Sequence, residues 1–287
     1  MKNVITRSIS GILYIVIIVG AIFGGGWWFF ALTFIFCAIG TFEYQRLCEE
    51  RAGHFLSPTI RAFDLIGAML VWAITPSSYF AETLSSSEPN TTFFSFMFIP
   101  LTILLLLFAY VIIRFAMAVF DESDNPWGNL GNSILGLIYV AVPMLLLNTM
   151  CIAGYTKWEI LMMFILIWVN DTGAFCVGSL MGHHKLCQRL SPKKSWEGYW
   201  GGMTFCIIGG TVYALVTGNS VAEWIFIGIL ISIMATIGDL FESMLKRSAG
   251  VKDSGRLIPG HGGILDRIDS LLFVAPTFLL VLMILSI

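Results

Sequence analysis

Charged residues are scarce in this sequence. Asp, Glu, Lys and Arg make up only 12% of the 287 residues, whereas hydrophobic residues make up 57%. A soluble globular domain carries about 25% charged residues, so this composition argues against a chain that folds in water. Together with a mean hydropathy of +0.85, it indicates a polytopic membrane protein. The net charge of −2 gives no reason to expect a nucleic-acid partner.

Paired cysteines are missing as well. The six cysteines include no C-x-x-C pair and mostly lie in apolar runs, where a thiol usually packs as a small hydrophobic side chain. His183 and His184 lie near Cys187, but a solvated loop is favoured over a metal site because no second ligand group has matching spacing. The apolar N-terminal run lacks an A-x-A-like cleavage site, so we expect an uncleaved first helix.

Long apolar runs predict nine membrane-spanning helices and therefore an all-α fold. A spanning helix needs about 20 predominantly apolar residues. Such runs lie at residues 8–23, 27–45, 63–80, 93–115, 131–152, 158–180, 199–217, 221–244 and 268–287. We divide the chain into residues 1–125, with four helices, and residues 126–287, a catalytic part with five helices and the loops 181–198 and 245–267.

Positive charge is nearly absent from alternate loops. With a cytoplasmic N-terminus, every Lys and Arg except Lys157 falls on the cytoplasmic side of the nine helices. The positive-inside rule relates this asymmetry to orientation. We therefore predict a cytoplasmic N-terminus and expect the chemistry in the two loops richest in Lys and Arg, 181–198 and 245–267.

Four aspartates in or beside the predicted helices are candidates for catalysis, because charge inside a bilayer is costly and usually functional. They are Asp171 in the sixth helix, Asp239 in the eighth, and Asp266 and Asp269 at the start of the ninth. Clustered carboxylates repel one another, and a divalent cation would relieve that repulsion. All-oxygen ligation suits Mg²⁺, which binds carboxylates together with substrate phosphates.

Lysines accompany these carboxylates. Glu242, Ser243 and Lys246 follow Asp239 at spacings that place all four on one helix face. Two interpretations of Lys246 stay open: it contacts a substrate phosphate, or it forms a salt bridge with a neighbouring carboxylate.

The loop 181–198 contains a second pair of lysines. Ser191 followed by Pro192 predicts a helix start there. Lys193 and Lys194 would then lie in the first turn, where cations oppose the helix dipole unless an anion binds. Anchoring to anionic lipid headgroups is the alternative.

The segment PGHGG, residues 259–263, cannot form a regular helix. Its proline and glycines allow tight turns that bring backbone N–H groups close to an anion. Charged and titratable residues surround these turns: Lys252, Asp253, Arg256, His261 and Arg267. A plain turn between helices would not need them, so we expect a phosphate-binding segment.

Four closely spaced motifs lie between Ser243 and Asp269. They are Ser243-x-x-Lys246-Arg247, Lys252-Asp253-Ser254-Gly255, Pro259-Gly260-His261-Gly262-Gly263 and Asp266-Arg267-x-Asp269. Two more are Trp168-x-x-Asp171 with Ala174, and Ser191-Pro192-Lys193-Lys194 with Glu197-Gly198. Together they resemble the signature of the phosphatidate cytidylyltransferase (CDP-diacylglycerol synthase) family. One departure is Ser195, where threonine is expected, and the first four helices resemble the family only in hydropathy.

The resemblance implies a membrane-embedded homodimeric enzyme that converts CTP and phosphatidate into CDP-diacylglycerol and pyrophosphate with Mg²⁺ and a second cation. It implies Asp239 and Asp266 as metal ligands with Asp269 close by, and Lys246 as a phosphate contact. We expect Asp171 to complete the polar floor, and an active site that faces the cytoplasm from the cell membrane. The expected substrate-binding residues are Lys193, Lys194, Ser195, Glu197, Ser243, Arg247, Lys252, Asp253, Gly260, His261, Gly262, Gly263 and Arg267.

Two other functions stay open. A CDP-alcohol phosphotransferase belongs to the same broad class of membrane enzymes, but its D-x-x-D-G…A-R…D-x-x-x-D pattern is absent from the sequence. A transporter is the second alternative, because polytopic chains with buried aspartates often transport. The polar residues of this chain crowd one end of the predicted helices, however, and no broken helix is evident at mid-depth.

Overall fold

A computed structural model describes residues 2–52, 56–87, 92–255, 257 and 262–285. Its helices are α1 (Lys2–Gly24), α2 (Gly26–Ala52), α3 (Pro58–Ser87), α4 (Thr92–Val119), α5 (Pro126–Gly136), α6 (Val142–Ile152), α7 (Lys157–Met181), α8 (Trp196–Thr217), α9 (Val221–Ser248) and α10 (Leu265–Leu285). A π-helical turn (Leu137–Ala141) joins α5 to α6. An antiparallel hairpin of β1 (Lys185–Cys187) and β2 (Ser191–Ser195) lies between α7 and α8.

The prediction of an all-α polytopic membrane protein is confirmed, and each of the nine predicted segments coincides with helical backbone wherever its residues are described. Within the described residues, eight helices are long and apolar enough to cross a membrane, and Ile9–Gly24 is a shorter apolar helix. The π-helical turn and its flanking helices count as one of the eight, residues 126–152. The number of crossings and the cytoplasmic N-terminus stay predictions.

The π-helical turn has a cause in the sequence. Pro143 has no backbone N–H, so it cannot donate to the carbonyl four residues earlier. The N–H of Val142 instead bonds to the carbonyl of Leu137, five residues back. This is the wider π spacing, which lets the helix continue past the proline.

The contacts of the chain divide it into two units. The first comprises Met1–Gly154 with Asp253–Leu265, and the second comprises Tyr155–Lys252 with Asp266–Ile287. Our division at residue 125 rests on the positions of the motifs and stays a prediction.

Buried polar contacts cross-link the helices of the first unit. Arg114 Nε on α4 donates to Asp64 Oδ1 on α3 over 3.1 Å, and Ser133 Oγ on α5 donates to Asp64 Oδ2 over 2.6 Å. Thr33 Oγ1 on α2 donates to Asn148 Oδ1 on α6 over 2.8 Å. Buried polar groups need such partners. These contacts join α3 to α4 and α5, and they join α2 to α6.

Small residues bring the helices of the second unit close together. A Cβ added at Gly198 on α8 would lie 2.8 Å from the Ala174 carbonyl oxygen on α7, and one at Gly202 would lie 2.7 Å from Asn170 Oδ1. Small residues at an interface allow close approach of helix backbones in membranes. Asn170 Oδ1 also accepts from Ser232 Oγ on α9 over 2.7 Å. The residue after Asn170 is Asp171, so this packing fixes the place of the first candidate aspartate.

Candidate active site

The C-terminal turns of α9 carry the centre of the site. Lys246 Nζ donates to Glu242 Oε2 over 2.5 Å and to Asp266 Oδ1 over 2.7 Å. Ser243 Oγ donates to Asp239 Oδ1 over 3.4 Å. The contacts within α9 join residues four apart, which lie on one helix face as predicted. Asp266 comes from the first turn of α10.

A second lysine reaches the same helix from the hairpin. Lys194 Nζ on β2 forms an ion pair with Asp239 Oδ2, and both side chains are about one-third exposed. Asp239 is thereby contacted by Lys194 and by Ser243. The hairpin and α9 are therefore joined at Asp239.

The predicted helix start at Ser191 and Pro192 is wrong. Both residues lie in β2, and α8 begins at Trp196. The N-cap is Ser195, whose Oγ accepts a hydrogen bond from the Gly198 N–H over 3.1 Å. A serine that satisfies a first-turn N–H sets the start of a helix. Lys193 and Lys194 therefore do not oppose a helix dipole, because both lie in β2.

Asp171 and Asp269 add further negative charge beside Asp239. The three carboxylates are close enough to interact electrostatically, and Asp269 Oδ1 accepts from the Ser270 N–H over 2.6 Å. Gly238 makes this proximity possible, since a Cβ there would lie 2.6 Å from the Asp269 carbonyl oxygen. We call the five carboxylates and two lysines the acid–lysine cluster. Its members are Asp171, Asp239, Glu242, Asp266, Asp269, Lys194 and Lys246.

The cluster suits Mg²⁺ in donor type and charge. Its five carboxylates outnumber the nearby cations, and carboxylate oxygen is a preferred ligand of Mg²⁺. Glu242 Oε1 is buried and has no hydrogen-bond partner among the described residues. Within that same part of the chain, no three acidic, His or Cys side chains are arranged to hold one ion. The fit therefore lies in the donor set, while the lysines occupy several of the donor oxygens.

Other predicted residues of the second unit have separate contacts. Glu197 accepts from the backbone N–H groups of His183 and His184 and pairs with His184 Nδ1 over 2.6 Å. It thereby holds the entry to the hairpin. Arg247 Nη1 donates to the Val251 carbonyl over 3.2 Å, which shapes the chain after α9.

Several other predicted residues lie outside the acid–lysine cluster. Lys193 and Lys252 are exposed, and Arg267, half-buried in the first turn of α10, interacts electrostatically with Asp171. Asp253, Gly262 and Gly263 belong to the first unit, whereas Gly260 and His261 lie outside the described residues. Their roles in substrate binding stay predictions.

Sequence reasoning missed three residues that shape the chain around the motifs. Gly238 and Asn170 set helix packing next to Asp239 and Asp171, and Glu43 is a carboxylate of α2 that is only 4% exposed. A signal for Glu43 was present, because charge in an apolar helix is unusual. The rule that selected Asp171 could therefore have selected Glu43 as well.

The fold and this cluster define a class: a polytopic membrane protein that gathers carboxylates and lysines on neighbouring helices. Comparison with known proteins specifies the family. The cytidylyltransferase family model matches residues 5–285, and the chain belongs to this family.

Curated relatives include phosphatidate cytidylyltransferases of three staphylococci. The similarity to the protein of Staphylococcus saprophyticus is 48% identity over 119 residues, which is 41% of this chain and 46% of the relative. The proteins of Staphylococcus epidermidis and Staphylococcus aureus are 46% and 45% identical, with the same coverage. The chain thus spans about half the length of the curated relatives it matches. These similarities favour the cytidylyltransferase prediction over both alternatives.

Proposed function

We propose that this protein transfers the cytidylyl group of CTP to phosphatidate and forms CDP-diacylglycerol and pyrophosphate. The observation that carries the proposal is the acid–lysine cluster, which combines lysines for phosphate with carboxylates for a cation. Family membership and the names of the staphylococcal relatives support the same reaction.

The proposed reaction is an in-line displacement at phosphorus. A phosphate oxygen of phosphatidate attacks the α-phosphorus of CTP, and the bond from that phosphorus to the bridging oxygen of the β-phosphate breaks. The electron pair leaves with pyrophosphate. Because the attacking oxygen is already anionic, the reaction needs no strong general base, and positioning with charge neutralisation provides most of the catalysis.

Lys194 and Lys246 are placed to provide that neutralisation. Each is paired with carboxylates, which keeps the ammonium group in place. A phosphate group can compete for the same N–H donors, since charge-assisted hydrogen bonds to phosphate and to carboxylate are of similar strength. We propose that both lysines donate to substrate phosphate oxygens, and that Asp171 maintains the polar floor beside them.

Asp239 and Asp266, with Asp269 in support, would hold Mg²⁺. The bound ion would neutralise phosphate charge and orient the triphosphate. A second cation and a homodimer are part of the same proposal and come from the family resemblance. Glycerophospholipid substrates and bacterial relatives favour the cell membrane as the location, and the distribution of Lys and Arg favours a site that faces the cytoplasm.

The decisive experiment measures pyrophosphate release by the purified full-length protein in mixed micelles. Radiolabelled CTP and phosphatidate are supplied with Mg²⁺, and the lipid product is identified as CDP-diacylglycerol. We expect turnover that depends on both substrates and is lost when Mg²⁺ is chelated. Release of pyrophosphate without a lipid product would contradict the proposal.

Asp239→Asn and Asp266→Asn are the matched variants for this assay, because each removes a carboxylate without a change in volume. Turnover should fall by about a hundredfold or more for each, since a metal ligand that acts in the transition state is lost. Membrane insertion and yield should stay close to those of the wild type. Wild-type turnover in either variant at low Mg²⁺ would contradict the assignment of metal ligands.

A further inference from the structure

A buried carboxylate in the first unit contacts the glycine-rich segment. Glu43 lies on α2 and is only 4% exposed. Its Oε2 accepts from Ser254 Oγ over 3.1 Å and from the Leu265 N–H over 2.7 Å, and its Oε1 accepts from the Ile264 N–H over 3.2 Å. One side chain therefore binds both ends of residues 254–265.

Two glycines leave the space that this carboxylate occupies. A Cβ at Gly255 would overlap Glu43 Oε1 and lie 2.9 Å from its Cδ. A Cβ at Gly263 would overlap both carboxylate oxygens of Glu43 and the Ser254 hydroxyl. Any other residue at either position would push Glu43 out of the segment. The carboxylate of Glu43, on a helix that is distant in the sequence, therefore explains why glycine stands at both positions.

The contact also completes the start of α10. Leu265 is the first residue of that helix, and the first N–H groups of a helix have no partner within it. Negative charge at this end is stabilised by the helix dipole. Glu43 therefore caps α10 from α2, where a side chain of the preceding loop usually does so. The next residue of α10 is Asp266.

We infer that Glu43 is a positioning residue for cytidylyl transfer, which rests on the proposed function. It binds Ser254, Ile264 and Leu265 at the two ends of the motif segment, and Leu265 directly precedes Asp266 in the chain. Glu43 itself has no described contact with the acid–lysine cluster.

Glu43→Gln tests this inference directly. Glutamine has the same shape, but it loses the negative charge and turns an amide NH₂ towards backbone donors. We expect kcat to fall by about tenfold to a hundredfold, since small displacements of catalytic groups have effects of this size. Exchange of the Ile264 and Leu265 amides with deuterium should become faster, because their acceptor is weakened.

Glu49→Gln is the matched control. Glu49 lies on the same helix with the same 4% exposure, and it accepts from the Leu56 N–H over 3.1 Å and from Arg61. The Glu49→Gln substitution removes a partly buried ion pair with Arg61 and none of the contacts that Glu43 makes with Ser254, Ile264 and Leu265. We expect a lower Tm with kcat per folded molecule near that of the wild type. Equal kcat in the Glu43 and Glu49 variants would overturn the inference.

Ser254→Ala provides a milder second variant for the case in which Glu43→Gln does not fold. It removes one donor to Glu43 and should lower kcat by a few-fold with little change in Tm. Wild-type kcat in this variant, with unfolded Glu43→Gln, would show a purely structural role. The exchange rates of Ile264 and Leu265 require no turnover. A wild type without cytidylyltransferase activity would therefore reject the proposed reaction, and the exchange data would separately decide whether Glu43 holds the segment.

Discussion

Lys246 links two carboxylates at the residue scale, and this arrangement has an energetic consequence. Glu242 is fully buried, and the Lys246 side chain is only 12% exposed. A buried charge without a partner is strongly destabilising. Of the two interpretations that the sequence left open for Lys246, the salt bridge is present, and phosphate contact stays a prediction. The two roles are compatible, and variants can separate them.

Lys246→Met should lower both stability and activity. It leaves the buried Glu242 carboxylate without its cation, which costs about 3–5 kcal/mol. The double variant Lys246→Met with Glu242→Met removes both charges and should recover much of the lost Tm. If Lys246 contacts phosphate, turnover stays low in the double variant. Thermal unfolding in detergent and the pyrophosphate assay measure the two effects. Recovery of turnover together with Tm would limit Lys246 to a structural role.

The two hairpin lysines differ in their surroundings, which yields a paired prediction. Lys194 contacts Asp239, whereas Lys193 is exposed. A charge-assisted phosphate contact contributes roughly 1.5–3 kcal/mol, or about tenfold to a hundredfold in kcat/KM. We expect a loss of this size for Lys194→Gln and a smaller one for Lys193→Gln.

Separate titration of the two substrates then identifies the partner of Lys194. A rise in KM for CTP alone indicates the triphosphate, and a rise for phosphatidate alone indicates the lipid phosphate. Unchanged kinetics in both single variants and in the double variant would support lipid-headgroup anchoring instead, because a polytopic protein does not need that attraction to stay inserted.

At the scale of elements, the loop 181–198 shows where local signals were insufficient. Ser191 and Pro192 have the residue types of a helix start, yet both lie in β2, where Ser191 pairs with Cys187. The Trp196 N–H donates to the His184 carbonyl over 2.9 Å, a contact that closes the hairpin and depends on residues twelve apart. Ser195 has the same capping chemistry as Ser191. Two candidate N-caps four residues apart cannot be ranked by residue type alone.

The packing of α9 against α10 can be tested at Gly238. Alanine there would meet the Asp269 backbone, which cannot move aside as a side chain could. We expect Gly238→Ala to cost about 1–3 kcal/mol and to lower kcat, because it separates Asp239 from Asp269. Activity and Tm like those of the wild type would show that the two helices do not need this close approach.

Gly131→Ala is the control for a glycine within a helix. A Cβ at Gly131 on α5 would meet nothing within 4 Å. Alanine is the better helix former by about 1 kcal/mol, so this variant should be neutral or slightly stabilising and fully active. The contrast isolates the effect of packing from the effect of helix propensity.

At the scale of the whole molecule, the apolar runs predicted the positions of the helices well, because hydropathy is a property of the local sequence. Contacts between distant residues were not predictable in the same way. Glu43 and Leu265 are separated by 222 positions, and no pattern in a single sequence relates them. The acid–lysine cluster was predictable only in part. Its aspartates were found because charge in an apolar helix is costly. The pairing of Lys194 with Asp239 depends on the position of Lys194 in the hairpin.

Orientation in the membrane is the property of the whole chain that most needs a measurement. All Lys and Arg residues except Lys157 lie on one side of the predicted nine-helix arrangement, and such an asymmetry places that side in the cytoplasm. The exposed Arg189, in the hairpin loop, and the exposed Asn219, between α8 and α9, are on opposite predicted sides.

Single cysteines at these positions, in a chain with the six natural cysteines replaced, report the orientation. We expect a membrane-impermeant thiol reagent to label Asn219→Cys in intact cells and Arg189→Cys only after the membrane is opened. Both variants retain pyrophosphate release if the replacements preserve the fold, which controls for misinsertion. Labelling of Arg189→Cys in intact cells would reverse the orientation and place the acid–lysine cluster on the side away from cytoplasmic CTP, and the proposed reaction would then lose its nucleotide supply.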